Sequence, residues 1–468
     1  MRLKLLLLLS LLLLTPRPAL AQTGSGDSGT AEQPIPKVHV VQEGETLTSI
    51  AAFYNTTVED LQLINHISDP SLLYAGQSLI IPGVTGEAVA TVYTIQAGDT
   101  LPGLAAAFNT TPAAIGELNH LLQPDALYAG QSLAVVSRTG SAAPRPPTGR
   151  PHVIQPGESL LELAARYHLS LAALADANHL TYPYRLLPGQ RLRIPGEEPY
   201  QFLSGEWVAI QMHPLPAVQG EAVAVTVENL LSGQPAGHFA GQPLRFAPWG
   251  KGYVALVGLD AFTEPGLYTL ELESAGGRPW SPFSQAIQVV SGNYGTEIVT
   301  VPAEQSDLLA PEVRAEEDAF LATIYSQFTP APQWAGPFQT PVTTTIVTSG
   351  YGVTRSYNGG AYEIYHTGVD FAAAAGTLVL APAAGTVVFS DTLELRGNTL
   401  ILDHGLGVMT GYYHLTRSLV KVGDVVAAGQ PIAEVGSTGL SSGAHLHWDL
   451  RVHNVPVNGR QWTRERFP

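Results

Sequence analysis

VHVVQEGETL (residues 38–47), VYTIQAGDTL (92–101) and PHVIQPGESL (151–160) are three copies of one segment, and YAGQSLIIP (74–82), YAGQSLAVV (128–136) and LPGQRLRIP (187–195) follow them in register. Each copy has an early glycine (Gly44, Gly98, Gly157) and an Asn-His pair 21 residues later (Asn65-His66, Asn119-His120, Asn178-His179). Another glycine stands 11 residues beyond each asparagine (Gly76, Gly130, Gly189). Self-similarity of this kind marks repeated modules. Each unit reads as strand, helix, helix, strand. In the first, Val38 and Val40 suit a short strand that ends at Gly44. Thr46 caps a helix with Leu47, Ile50, Ala51 and Tyr54 on its apolar side, and Thr57 caps a second carrying Leu61 and Ile64. Thr111-Pro112 in the second copy puts proline at the first helical position, where a missing N–H is harmless. The three Asn-His histidines read as turn and packing residues, because each module offers only one such histidine and the modules are separate.

Upstream, Arg2 and Lys4 precede an apolar run at 5–14, and Ala19-Leu20-Ala21 is a small-residue cleavage site. That pattern predicts a signal peptide at 1–21; a spanning helix needs about 20 apolar residues, twice what this run offers. The expected mature chain has no transmembrane segment and is secreted into the cell envelope. Residues 22–37 and the Pro-rich 137–150 read as linkers, the second extended and semi-stiff. The link at 83–90 is shorter, so the first two modules are expected to act as a pair and the third more independently.

The composition narrows the function further. Hydrophobic residues are 45% and charged residues 13%, which excludes disorder over most of the length. A net charge of −16 argues against a nucleic-acid partner, which needs a basic face. With 0 cysteines there are no disulfides, thiolate metal sites or cysteine nucleophiles.

Residues 200–301 carry short alternating runs at turn-punctuated spacing, among them Trp207 to Met212, Ala222 to Val227 and Leu267 to Leu272, and read as an antiparallel β-sandwich-like domain. Residues 302–340 read as a helical, Pro-rich connector whose Glu312, Glu316, Glu317 and Asp318 form a solvated charged face.

Chemistry gathers in 341–468, an all-β pattern rich in Gly and Val. His366-Thr-Gly-Val-Asp370, Tyr412-Tyr-His414-Leu and His445-Leu-His447-Trp-Asp449 are the strings that matter. Residues i and i+2 of a strand share a face about 7 Å apart, so His445 and His447 look into one space. Residues i and i+4 lie about 13 Å apart on a flat strand, so His366 and Asp370 converge only if the chain bends, and Gly368 supplies that freedom. Imidazole and carboxylate without sulfur suit zinc with three protein ligands. Spacing alone leaves open whether His445 or His414 completes the set.

Two resemblances follow. The repeats, with G-[DE]-[TS]-L, a central Asn and a late G-Q-x-L, resemble the LysM module, which implies binding of N-acetylglucosamine-containing glycan, peptidoglycan or chitin, in a shallow groove between the first turn and the late loop. That places Glu45 and Thr46, Asp99 and Thr100, and Glu158 and Ser159 beside sugar; the bland alternative is that these residues only cap the first helix. The C-terminal strings occur in order with YGVTRSYNGG (351–360), GTLVLAPAAGTVV (376–388), GNTLILDHGLG (397–407) and VGDVVAAGQPIAEVGSTG (422–439). Together they resemble the lysostaphin-type zinc metalloendopeptidases, whose pattern is H-x-x-x-D, Y-x-H-L, G-x-H-L-H.

That resemblance implies one Zn²⁺ held by His366, Asp370 and His447, with His414 and His445 as unligated catalytic histidines and His404 structural. Trp448-Asp449 stands where the family usually has an aromatic followed by Glu, so a change is expected in what supports His447. The loop 436–443 is expected to wall the cleft, and Tyr362 to add a hydrogen bond there. The fold class expected is multidomain: three small α+β LysM modules (38–82, 92–136, 151–195), a β-sandwich-like domain (200–301), the connector (302–340) and an all-β zinc peptidase domain (341–468). The function implied is a secreted peptidoglycan hydrolase cutting peptide stems or cross-links. The alternatives are a catalytically inactive wall-binding activator of amidases, and repeats that bind chitin.

Overall fold

The computed structural model describes residues 38–468 except 43, 66, 68, 71–72, 83–88, 109, 120, 122–126, 138–147, 179, 200, 202, 204–205, 231–232 and 276–280. The expected signal peptide, the linker 22–37, most of the spacer 137–150 and the histidines His66, His120 and His179 lie outside the described residues. No helix among the described residues is long and apolar enough to cross a membrane.

Each repeat is a two-stranded antiparallel sheet flanked by two short helices. In the first, Val38–Val40 pairs with Ser78–Ile80, and the helices are Leu47–Tyr54 and Val58–Asn65. Local chemistry starts the first helix of each unit: Thr46, Thr100 and Ser159 accept the N–H of Ser49, Gly103 and Glu162. The central asparagine then ties helix to strand. Asn65 accepts the N–H of Ile80 at 2.7 Å and donates to the carbonyls of Ile80 and Leu61, each at 2.9 Å. Asn119 and Asn178 repeat those bonds with Ala134 and Arg193. The first two repeats touch through Tyr74, whose hydroxyl donates to the Gly130 carbonyl and meets the Ser132 hydroxyl.

The middle region holds a five-stranded and a four-stranded sheet. Ile210, Val225 and Val257 from one meet Leu270 and Ile287 from the other in a shared core. Strand Ala222–Asn229 shows how this region meets the next. Val223, Val225 and Val227 face the partner sheet, while Ala222 and Ala224, half a pleat away, join the core of the C-terminal part. A run buried on both faces is the reason its alternation is apolar on each side. Gln461 closes the seam by accepting the Ala222 N–H at 2.8 Å and donating to its carbonyl at 3.0 Å.

Glu221 directly precedes Ala222 at this seam. Burial, with Glu465 adding repulsion and Arg464 opposing it, pushes its carboxyl up to about 7. The folded state therefore holds this proton more tightly than the unfolded chain. Stability from this group is full below about pH 4.5 and is lost as pH rises to about 7. Glu221→Gln should flatten the thermal-midpoint profile across that window; an unchanged slope would show that Glu221 does not titrate at the seam.

The C-terminal part is built on one large antiparallel sheet whose central strand, His445–Val452, lies between Gly368–Ala372 and Val408–Leu415. Strand Thr296–Val299 pairs in parallel with Thr354–Tyr357. It falls inside the sequence range expected for the middle domain, yet its hydrogen bonds belong to the C-terminal part. The connector differs from expectation as well. Helix Pro311–Tyr325 packs Leu321, Ile324 and Tyr325 against Ile401 and Met409. Its Glu317 is buried, not solvated, because it receives the N–H groups of Leu395 and Arg396 and the Arg396 guanidinium.

Candidate active site

Strand register brings the first pair together. Asp370 stands directly opposite His447 across the Gly368–Ala372 and His445–Val452 ladder, and Tyr413 stands opposite His447 on the other side. His366 comes from the link between two strands that belong to different sheets, Ile364–Tyr365 and Gly368–Ala372. The bend that the sequence required is this sheet change. Gly368 serves another purpose: a methyl group there would lie 2.6 Å from His447 Nε2 and 2.5 Å from the Trp448 carbonyl. It provides room, not backbone freedom.

The result is a tight triangle. His366 Nε2 lies 3.0 Å from His447 Nδ1 and 3.1 Å from Asp370 Oδ1, and His447 Nδ1 lies 2.8 Å from Asp370 Oδ1. The Gly350 carbonyl, 2.8 Å from His366 Nδ1, can only accept, so the proton sits on Nδ1 and the Nε2 lone pair faces the triangle. All three residues are buried. Burial disfavours ionisation of Asp370, but His366 and His447 outweigh it and hold the carboxyl well below the usual range. Burial pushes His447 down to about 4 against the pull of Asp370. Two imidazole nitrogens and a carboxylate oxygen around one point fit a metal ion. Zinc, bonded to such donors at about 2.0–2.2 Å, keeps them a little over 3 Å apart.

Two further imidazoles border the triangle. His414 Nδ1 donates to the Thr438 carbonyl at 2.7 Å, and His445 Nδ1 donates to the Gly443 carbonyl at 2.8 Å. In the neutral form of each ring that bond leaves the lone pair on Nε2, and Nε2 of His445 lies 3.8 Å from Asp370 Oδ1. Burial, reinforced by His447 and His445, pushes His414 down to about 3, so it is neutral at physiological pH. The loop 436–443 both walls the cleft and fixes the tautomers of these two histidines.

One support of the site carried no sequence signal. Arg355 donates to Asp370 Oδ2 at 3.0 Å and to Ser349 Oγ at 2.9 Å, and also pairs with Glu297. Asp370 is thus gripped from behind while Oδ1 faces the histidines. Asp449 accepts from Tyr413 at 3.0 Å, and the Tyr413 ring stacks on His447 at 5.0 Å. The shorter acid after Trp448 acts through that tyrosine. His404 is buried away from the cleft between the Ala384 carbonyl and the Thr410 hydroxyl. Tyr362 is 48% exposed and lines neither of the two cavities that flank the triangle. Those cavities, of about 390 and 420 Å³, share Arg355, Tyr357, His414, Leu440 and His447.

The residues expected beside sugar lie far along the chain from this cleft and are engaged within their own modules. Glu45 accepts the Gln42 N–H and meets His39, Asp99 accepts the Gln96 N–H and the Tyr93 hydroxyl, and Glu158 accepts the Gln155 N–H and meets His152. Thr46, Thr100 and Ser159 are the helix caps described above.

Known proteins place these parts. Residues 39–82, 93–136 and 152–195 match the LysM domain, and residues 364–459 match Peptidase family M23. An uncharacterized metalloprotease of Haemophilus influenzae is 44% identical over 94 residues, 20% of this chain and 20% of that protein. Peptidoglycan DD-endopeptidase ShyA of Vibrio cholerae is 43% identical over 93 residues, 20% of this chain and 22% of that protein. The chain spans about a fifth of the length of these curated relatives. The solved catalytic domain of lysostaphin from Staphylococcus simulans is 30% identical, covering 28% of this chain and 93% of that chain at a TM-score of 0.21. Residues 364–459, which contain the histidine–aspartate triangle, are a peptidase family M23 domain, and three LysM domains precede it in the chain.

Proposed function

We propose that this chain is a zinc-dependent endopeptidase that cuts peptide stems or cross-links of peptidoglycan while LysM domains hold it on the glycan. The observation that carries the reading is the convergence of His366 Nε2, Asp370 Oδ1 and His447 Nδ1 beside two further imidazoles. The alignment with a peptidoglycan DD-endopeptidase over this region supports the substrate class.

His366, Asp370 and His447 would hold the ion, with Arg355 keeping Asp370 turned toward it. When bound, zinc polarises the peptide carbonyl and acidifies water. Nε2 of His414 and of His445 are the atoms free to take the proton of the attacking water and to return it to the leaving amine. The backbone carbonyls of Thr438 and Gly443 keep those rings in the tautomer that can do so. The same two imidazoles border the place where negative charge develops on the attacked carbonyl oxygen. Export by residues 1–21, location in the wall, and Glu45-Thr46 and Glu158-Ser159 beside sugar complete the proposal.

Zinc-loaded full chain incubated with intact sacculi should release peptides, and mass analysis of their new amino termini identifies the bond cut. Release of no peptide, together with stimulation of a separate amidase, would replace the enzyme reading by that of a wall-binding activator.

A further inference from the structure

The three LysM domains share one backbone but not one environment. Their first-turn glycines, Gly44, Gly98 and Gly157, have φ of 83, 84 and 90°, and their late-loop glycines, Gly76, Gly130 and Gly189, have φ of 86, 91 and 85°. Among the described residues, a methyl group on Gly44, Gly157 or Gly189 would meet nothing within 4 Å, and on Gly76 only the Tyr128 hydroxyl at 3.6 Å. On Gly98 it would overlap Leu203 at 2.3 Å, and on Gly130 it would press on Pro216 at 3.0 Å and Gln288 at 3.2 Å. Among the described residues, the loops of the third repeat are open and so is the first turn of the first, whose late loop touches the second repeat through Tyr74; both loops of the second repeat are covered.

What covers them is the middle domain. Ala129 forms a parallel bridge with Ile287: its N–H donates to the Ala286 carbonyl at 2.9 Å, and the Gln288 N–H donates to its carbonyl at 2.8 Å. The Gly98 N–H donates to Gln285 Oε1 at 2.6 Å, and Gln201 donates to the Ala97 carbonyl at 3.2 Å. Ala97 and Ala129 are wholly buried and belong to the middle domain's core. Strand Phe283–Val290 would otherwise present an unpaired edge at 286–288. Its next two residues on that side, Val289 and Val290, pair with Ala217 and Val218, and the second repeat continues that cover. Burial pushes the Asp99 carboxyl up, whereas the Gln42 N–H and His39 hold the equivalent Glu45 down.

One position of the late loop separates the third repeat from the second, while the first has Ala75 there like the second. Where the second has Ala129, the third has Pro188, which has no N–H to donate. The third repeat cannot make this bridge.

We propose that the second LysM domain is a protein-docking module: its two loops are closed on the sheet edge of the middle domain, and N-acetylglucosamine-containing glycan is captured by the first and third repeats alone. This rests on the glycan-binding reading of the repeats. It also removes Asp99 and Thr100 from the residues expected beside sugar. The first repeat, joined to the second through Tyr74, is thereby held in a set position relative to the catalytic part.

Hydrogen exchange of the full chain, with and without the hexamer of N-acetylglucosamine, tests this. The hexamer should slow exchange in the first-turn and late-loop peptides of the first and third repeats, and leave those of the second unchanged. Ala129→Pro borrows the residue that the third repeat already tolerates. It should speed exchange of the Gln288 amide at least tenfold and let the second repeat respond to the hexamer. The Ala134 amide, bonded to Asn119 inside the repeat, should stay slow and so report an intact module. Gln285→Ala loosens the same seam from the other side and should also speed Gln288. Slowing of the second repeat in the unsubstituted chain, or an unchanged Gln288 amide in both variants, overturns the proposal. If the hexamer slows no repeat, the glycan reading fails; the docking is then judged by Gln288 alone.

Discussion

Alanine at position 447 should remove metal and activity together, while alanine at position 445 should remove activity and leave the metal in place. The two histidines are two residues apart on one strand and share a face, so the difference comes from what each nitrogen meets. His447 Nδ1 is a corner of the triangle, 2.8 Å from Asp370 and 3.0 Å from His366, and its ring is clamped by Tyr413. Without it two donors remain, one fewer than the three protein ligands of a catalytic zinc site. His445 Nε2 stands outside, at 3.8 Å from the nearest carboxylate oxygen. Its loss removes a proton carrier, for which a fall of about 10²–10⁴-fold in turnover is expected. Metal content by mass spectrometry, set beside peptide release from sacculi, reads both quantities. A His445→Ala protein with half the zinc of the unsubstituted chain would make His445 a ligand.

Glu317→Ala should be the most damaging change outside the cleft. Its carboxylate accepts the Leu395 N–H at 2.8 Å, the Arg396 N–H at 3.2 Å and the Arg396 guanidinium at 2.7 Å, all in a buried setting. Removing it strands two backbone donors and leaves Arg396 with Asp318 as its remaining acid. Breaking a buried pair from one side costs about 3–5 kcal/mol. Activity should fall too, with the metal retained, because the Arg396 carbonyl accepts the His414 N–H. Glu317→Gln keeps hydrogen-bonding capacity without the charge and should fall between. An unfolding midpoint indifferent to Glu317→Ala would mean that the helix merely leans on the domain.

The parts legible in the sequence are those decided by near neighbours. Thr46, Thr100 and Ser159 could be placed because a cap and its helix are three residues apart. The triangle was readable as a set of residues because His-x-x-x-Asp and His-x-His are short spacings, although spacing alone left open whether His445 or His414 completed the set. The supports were not readable. Arg355 and Glu297 lie 58 residues apart, and Glu317 and Arg396 lie 79 apart; no periodicity links them. The acidic stretch at 312–318 looked like a solvated face because charge usually is one, and only the turn holding Leu395 and Arg396 shows that Glu317 points inward. Gly368 was noticed for the wrong property, since the lack of a side chain mattered more than the freedom of the backbone.

Strand Ala222–Asn229 has a consequence for how this protein is divided. With valines facing one core and alanines the other, it is shared property of two neighbours. The catalytic part also takes Glu297 and Glu317 from chain that runs before its first matched residue. A fragment trimmed to the family boundary would lose the clamp on Asp370 and the partner of Arg396, and would lay bare the apolar patch that Ala222, Ala224, Val254 and Leu256 now cover. The M23 domain of this chain is therefore not an interchangeable cassette. In recombination, as in the choice of an expression fragment, the smallest portable piece includes the middle sandwich and its connector helix.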